Sequence, residues 1–114
     1  MTRFFVPGDP VPKQSFRYSH TGGYTDTRVT AWQSTVQYHA EIEGVQLTKQ
    51  AVKVELVFHL KDRRRRDCDN LSKAVLDSLN GIAWKDDTQV IDLHIRKLLS
   101  PKNPGVWIEI EEIT

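Results

Sequence analysis

Residues 51–79 read AVKVELVFHLKDRRRRDCDNLSKAVLDSL, and this stretch determines the kind of fold that the chain adopts. Apolar side chains occupy every second position over 51–60, which predicts a strand with one face on a core. Leucine or valine recurs at every fourth position over 71–79, which predicts an amphipathic helix capped by Asp69 or Asn70. The charged residues between them therefore form a loop at the end of a strand, a common place for a functional site.

The other elements follow from the same kinds of pattern. We expect a short strand at 3–6, a helix from Thr27 or Thr30 to about 43, and strands at 89–98 and 106–113. The last two strands are expected to pair with each other as a hairpin. Together these elements predict an α/β (α+β) fold in a single domain over 1–114. Its architecture is a small two-layer sandwich, with one mixed β-sheet and helices mainly on one face.

Composition sets broad limits on the class of protein. The chain has 114 residues and one cysteine, which fits one domain that needs no disulfide and works in a reducing cytoplasm. No run approaches the roughly 20 apolar residues of a membrane span, so we expect no membrane partner. The net charge of +1 does not by itself indicate a nucleic-acid partner.

The distribution of charge is more informative than its sum. Four consecutive arginines at 63–66 run into Asp67 and Asp69, and a second acidic pair follows at Asp86 and Asp87. Carboxylate oxygens are the ligands that Mg²⁺ prefers, and arginines bind phosphates. Because a metal ion beside a phosphodiester promotes its hydrolysis, this arrangement predicts a metal-dependent nuclease.

Each charged residue has an expected role in such a site. If the segment is extended, Asp67 and Asp69 project to the same side and both bind the metal. Asp87 arrives from a different element and completes the ligand set, with Asp86 as its rival or helper. Lys73, one helical turn after Asp69, is expected to stabilise the transition state or to orient the attacking water.

Basic residues on two segments are candidates for DNA binding. Arg64, Arg65 and Arg66 are expected to clamp the phosphates that flank the cleaved bond. Residues 13–24, which include Lys13 and Arg17, mix basic, hydroxyl and aromatic side chains around a Gly-Gly turn. They are expected to form a hairpin or an ordered loop that contacts DNA, covers the core, or does both.

The spacing of these residues leaves a simpler interpretation open. Asp67 and Asp69 would then only neutralise the arginines and cap a helix. The four histidines lie at no metal-ligand spacing, so zinc is not expected, and Cys68 is interpreted as a packing residue. The sequence has no phosphate-binding loop and no dinucleotide motif, so no nucleotide cofactor is expected.

Three motifs resemble the RusA family of Holliday junction resolvases, the crossover junction endodeoxyribonucleases. They are Arg-Arg-Arg-Arg-Asp-Cys-Asp-Asn-Leu-Ser-Lys at 63–73, Asp-Ser-Leu-Asn-Gly at 77–81 and Trp-Lys-Asp-Asp-Thr-Gln-Val at 84–90. The resemblance covers about residues 52–113 in order. The N-terminal segment at 10–14, together with Arg17, is similar to the family in a less specific way.

This resemblance implies a homodimeric, Mg²⁺-dependent endonuclease, with Mn²⁺ as a substitute. Such enzymes, many encoded by phages and prophages, nick opposing strands of a four-way DNA junction symmetrically in recombination and repair. By motif position, it assigns catalysis to Asp67, Asp69, Asp87 and Lys73. Arg66 would lie beside the site and help to bind DNA.

Two points stay open at the level of sequence. The dimer surface is expected on the strands at 89–98 and 106–113 or on the helix at 71–79. Two alternative functions are a nuclease with a broader preference, for flaps or other branched DNA, and a non-catalytic DNA-binding protein.

Overall fold

A computed structural model describes residues 1–13, 17–19, 22–24 and 27–113, with the backbone alone at 17–19 and 22–24. The helices and strands are β1 (Thr2–Pro7), β2 (Arg17–Ser19), β3 (Gly22–Tyr24), α1 (Thr27–Ile42), β4 (Ala51–Leu60), α2 (Cys68–Leu79), a 3-10 helix at Asp87–Gln89, β5 (Val90–Leu99) and β6 (Gly105–Ile113). Within this described part of the chain, no helix is long and apolar enough to cross a membrane.

The main sheet of the described residues has the strand order β1-β6-β4-β5. β4 is parallel to β5 and antiparallel to β6, so the predicted mixed sheet is confirmed. The predicted hairpin of the last two strands is wrong, because β4 lies between them. Helix α2 crosses over the sheet and returns β5 parallel to β4, and the chain then passes the end of β4 to reach its other edge.

The core lies between one face of this sheet and the two helices. The inward-facing positions of β4 are buried, and they belong to one cluster with Leu71, Val75 and Leu79 of α2. α1 contributes Trp32 and Val36 to the same cluster. The predicted two-layer arrangement, with helices on one face, is therefore confirmed.

Strand β5 begins with an irregularity that changes which residues face the core. Val90 pairs with Val52, but the register then shifts, and Leu93 pairs with Val54. Ile91 is the extra residue, and it is 64% exposed. A bulge of this kind places two residues of one strand opposite one residue of its partner, and Ile91 therefore has no paired residue on β4.

β5 is also an unusually exposed edge strand. It is ten residues long and pairs with β4 alone among the described strands. Four of its large apolar side chains are exposed, namely Ile91, Leu93, Leu98 and Leu99. A long apolar edge with unpaired backbone groups is a template for pairing with another chain.

Candidate active site

The first turn of α2 carries the two carboxylates of the central motif. The helix begins at Cys68, and Asp67 is its N-cap in an extended conformation, so the predicted caps Asp69 and Asn70 are wrong. Asp69 lies within the helical turn. The expectation that Asp67 and Asp69 project together from an extended segment is therefore also wrong. Both residues are nevertheless exposed, at the helix end whose dipole favours negative charge.

The carboxylate of Asp67 is not used as a helix cap. Its side chain accepts no capping hydrogen bond, although Asp is one of the best capping residues. Its backbone carbonyl starts the helix by accepting the Leu71 N–H at 3.0 Å. The capping interpretation of this aspartate is thus not supported, and its carboxylate oxygens stay available to a ligand.

Arg66 lies inside the protein rather than on the DNA-facing surface where it was expected. Its side chain is only 4% exposed. The guanidinium lies 3.2 Å from Oδ1 of Asp62 and 3.5 Å from the carboxylate of Asp9. Asp9 also lies 3.8 Å from Lys61. Arg66 therefore ties the loop at 61–67, between β4 and α2, to the end of β4 and to the segment after β1.

Asp62 organises the start of the same loop. Its Oδ1 accepts the backbone N–H of Arg64 at 3.0 Å. This hydrogen bond holds the pKa of Asp62 below its usual 3.8; desolvation opposes the shift, and the charges of Arg66 and Arg64 add to it. Asp62 is therefore ionised at neutral pH and pairs with Arg66 as a full charge.

The remaining arginines line a basic groove. Arg63, Arg64 and Arg65 are exposed, as expected for groups that bind phosphate. With Asp67 and Lys97 they border a cavity of about 520 Å³ between the loop and the end of β5. We call this cavity the arginine groove. Its walls also include apolar side chains from the strand ends: Leu60, Leu98 and Leu99.

The other predicted basic residues lie along α2 and the N-terminal segment. Lys13 forms an ion pair with Asp77, and its backbone N–H donates to the Asn70 carbonyl at 2.9 Å, so it anchors this segment to the helix. Lys73 is exposed one turn after Asp69. Arg17 lies in β2, and its side chain is outside the described residues.

The two residues of the second acidic pair differ in their contacts, since the Asp86 side chain has a structural role and the Asp87 side chain does not share it. Asp86 caps the 3-10 helix, because its Oδ2 accepts the Thr88 hydroxyl at 2.7 Å and the Thr88 N–H at 3.4 Å. Gln89 Oε1 accepts the Asp86 N–H, while its amide donates to two backbone carbonyls just before β4. The side chain of Asp87 takes no part in this network.

Asp87 lies far from Asp67 and Asp69 within one chain. Because β4 and β5 are parallel, both begin at one end of the sheet and finish at the other. Asp87 directly precedes the start of β5, whereas Asp67 and Asp69 lie beyond the finish of β4. The 12 residues of α2, about 18 Å of helix, separate the two ends.

A metal site made of three carboxylates is accordingly not assembled in a single chain. Over residues 1–13 and 27–113, no group of three His, Cys, Asp or Glu side chains is placed to hold a metal ion. Asp67 and Asp69 both lie at the N-terminal end of α2, but the fold does not bring Asp87 of the same chain close to them. The expected ligand set is therefore divided between the two ends of the sheet.

Comparison with known proteins decides the family. Residues 7–111 match the family model described as endodeoxyribonuclease RusA. The chain belongs to the RusA family. It is similar to the crossover junction endodeoxyribonucleases RusA of Escherichia coli K12 and of Enterobacteria phage 82. Each is 41% identical over 63 residues, which cover 54% of this chain and 52% of the relative. The matched region thus spans about half the length of these relatives.

The RusA motifs contain most of the candidate site, but three supporting residues were missed from sequence. Asp9 and Asp62 hold Arg66, and Lys97 donates to the Arg66 carbonyl at 2.8 Å. Asp62 directly precedes the motif at 63–73, but no sequence pattern indicates that it pairs with a buried arginine. Asp9 and Lys97 lie 57 and 31 positions from Arg66, and only the tertiary structure brings them together.

The role of Asp86 predicts a pH-dependent stability. The hydrogen bonds from Thr88 lower the pKa of Asp86 below its unfolded value of 3.8. A lowered pKa stabilises the fold above the unfolded pKa, and this contribution is lost as pH falls through the folded pKa. We expect Asp86→Ala to lower the melting temperature at pH 7, and this difference from wild type to close below about pH 4.

Thermal unfolding monitored by circular dichroism from pH 3 to pH 7 measures this effect. Asp86→Asn is the matched variant, because it keeps an acceptor oxygen and loses only the charge, so its loss at pH 7 is smaller. A difference between wild type and Asp86→Ala that persists unchanged at pH 3 would contradict the assigned role.

Proposed function

We propose that this protein is a Mg²⁺-dependent endodeoxyribonuclease that resolves four-way DNA junctions by paired, symmetric nicks. One observation carries the proposal: Asp67 lies at the border of the arginine groove, and its carboxylate accepts no capping hydrogen bond. The family membership and the names of the relatives, crossover junction endodeoxyribonucleases, agree with this chemistry. The proposed place of action is the cytoplasm of a bacterial or phage-infected cell, in recombination and repair.

The donor atoms at the start of α2 fit a hard divalent cation. Asp67 and Asp69 offer carboxylate oxygens only, at a solvent-exposed helix end where the metal keeps several of its waters. Mg²⁺ would be held by these two residues and by Asp87 of a second copy of the chain, with Mn²⁺ as a substitute. A cation bound there would polarise the scissile phosphate and lower the pKa of an attacking water.

The chain's own cations complete the proposed chemistry. Arg64 and Arg65 bind the phosphates on either side of the cleaved bond and hold the strand in the arginine groove. Lys73 is exposed one turn along α2 from Asp69, and its role would be to stabilise the negative charge that develops on the phosphate. Arg66 supports this arrangement from inside the protein, because its guanidinium is already paired.

The division of the carboxylates supports a homodimer. If the free edges of two β5 strands pair antiparallel about a two-fold axis, the start of one strand meets the finish of the other. Asp87 of the partner subunit then approaches the end of the sheet where Asp67 and Asp69 lie. Such a dimer would contain two complete sites, one at each end of the paired β5 strands.

The surface of β5 favours the same dimer. Its exposed apolar side chains include Ile91, Leu93 and Leu99, which pairing between two copies would cover. Of the surfaces expected from sequence, β5 is therefore proposed, rather than β6 or α2. Two sites related by a two-fold axis also match the approximate two-fold symmetry of a four-way junction, as paired nicks require.

Cleavage of a synthetic four-way junction tests the proposed function. The purified protein is incubated with labelled junction, flap and duplex of matched sequence, in Mg²⁺ and in EDTA. Paired symmetric nicks in the junction alone, in Mg²⁺ alone, are expected. Equal cleavage of the flap would favour a broader branched-DNA nuclease. Junction binding without nicks in any divalent metal would make the protein a non-catalytic binding protein.

A further inference from the structure

The peptide that precedes Asp67 is held by three separate elements of the fold. The Arg66 side chain is buried between Asp62, which follows β4, and Asp9, which follows β1. Its carbonyl oxygen accepts a hydrogen bond from Nζ of Lys97, on β5, at 2.8 Å. Both the side chain and the backbone carbonyl of Arg66 are therefore fixed, although the surrounding loop has no regular secondary structure.

The Lys97 bond acts directly on the orientation of Asp67. The Arg66 carbonyl and the Asp67 nitrogen belong to one planar peptide group, so fixing the oxygen fixes the direction in which the chain enters Asp67. Asp67 is the N-cap, where the backbone changes from extended to helical. A rotation of this peptide would swing the Asp67 carboxylate relative to Asp69, which the helix holds in place.

The contact depends on where Lys97 lies in the sheet. Lys97 pairs with Phe58 near the finish of β4, so its side chain lies on the same face of the sheet as α2. It borders the arginine groove, where a lysine is expected to bind phosphate. One of its three N–H groups donates to the Arg66 carbonyl, and a charged donor makes one of the stronger hydrogen bonds in proteins.

We propose that Lys97 is a positioning residue that orients the Asp67 carboxylate through the Arg66 carbonyl. This inference rests on the proposed nuclease function for its kinetic consequence, but the contact itself is independent of that function. The proposal gives β5 a role in the site through Lys97. This residue lies near the finish of the strand, whereas Asp87 lies before its start. The alternative role for Lys97, a direct phosphate ligand, makes different predictions.

Three variants separate the two roles. Lys97→Met keeps the length of the side chain and removes the donor, whereas Lys97→Arg keeps a charged donor. Lys102→Met, in the exposed turn before β6, is the matched control for loss of one positive charge. We expect Lys97→Met to lower kcat for junction cleavage by about tenfold with little change in KM, because a lost charged hydrogen bond affects the site and not DNA affinity. Lys97→Arg should recover most of this loss.

Amide hydrogen exchange of the free protein provides a readout that needs no activity. We expect Lys97→Met to accelerate exchange in residues 64–71, and Lys102→Met to leave it unchanged, because of these two lysines it is Lys97 that bonds to this loop. The inference is overturned if Lys97→Met and Lys102→Met behave alike in exchange and in kcat. It is also overturned if Lys97→Met raises KM and flattens the salt dependence of binding while kcat is unchanged. If wild-type protein cleaves no DNA, the proposed function fails, and the exchange experiment still decides the role of Lys97.

Discussion

Asp69→Asn is expected to reduce cleavage of a four-way junction by roughly a hundredfold to a thousandfold, the range for losing one group that stabilises transition-state charge. Asp69 is exposed in the first turn of α2, two residues after Asp67, which borders the arginine groove. The amide is a neutral and weaker ligand for Mg²⁺ than the carboxylate. Binding of the junction should be retained or tightened, because a negative charge near the phosphates is removed.

Cleavage rates and gel-shift affinities in Mg²⁺ and in Ca²⁺ measure the two effects separately. Glu43→Gln is the matched control, because it makes the same change in charge at an exposed position after α1. The control should cleave and bind as wild type does. A wild-type cleavage rate for Asp69→Asn in Mg²⁺ would show that the metal site is placed wrongly.

The second large effect is expected from Arg66→Ala, and it falls on the fold as well as on activity. The substitution removes a side chain that is 4% exposed and leaves Asp9 and Asp62 facing each other without the cation between them. The two carboxylates are 33% and 38% exposed, so water compensates for part of the lost pairing, and we expect the melting temperature to fall by about 5 °C. Cleavage should fall at temperatures where the protein remains folded, because the peptide before Asp67 loses its side-chain anchor and keeps the hydrogen bond from Lys97.

Arg65→Ala is the contrasting variant, because Arg65 is exposed in the adjacent position of the same loop. Its melting temperature should match that of wild type. Its junction affinity should fall, and the salt dependence of binding should lose about one unit of slope. If Arg66→Ala instead keeps its melting temperature and loses only salt-dependent affinity, Arg66 is a DNA ligand and not a support for the loop.

Local sequence patterns predicted the parts of the fold that depend on local geometry. The alternation in β4 and the four-residue spacing in α2 correspond to positions that are buried in the structure. The pairing of the last strands was predicted wrongly, because a short turn between two strands usually makes a hairpin. Here β6 instead lies between β4 and β1 and leaves the outer edge of β5 unpaired among the described strands, a choice of partner that no local pattern reveals.

The candidate site shows the same limit. Motif spacing predicted that Asp67 and Asp69 accompany a basic loop, and the arginine groove agrees with this. The burial of Arg66 was not predictable, because it depends on Asp9, which is 57 positions away. The separation of Asp87 from Asp67 follows from the parallel direction of β5, which no pattern within the strand reveals.

The most direct test of this account mixes two inactive variants, Asp69→Asn and Asp87→Asn, after they have been unfolded and refolded together. Random pairing makes about half of the dimers mixed, and each mixed dimer has one complete site if the carboxylates come from two chains. We predict that the mixture recovers about a quarter of the wild-type sites and nicks one strand per junction. A mixture as inactive as either variant alone, with mixed dimers shown to form, would contradict a site shared between two chains.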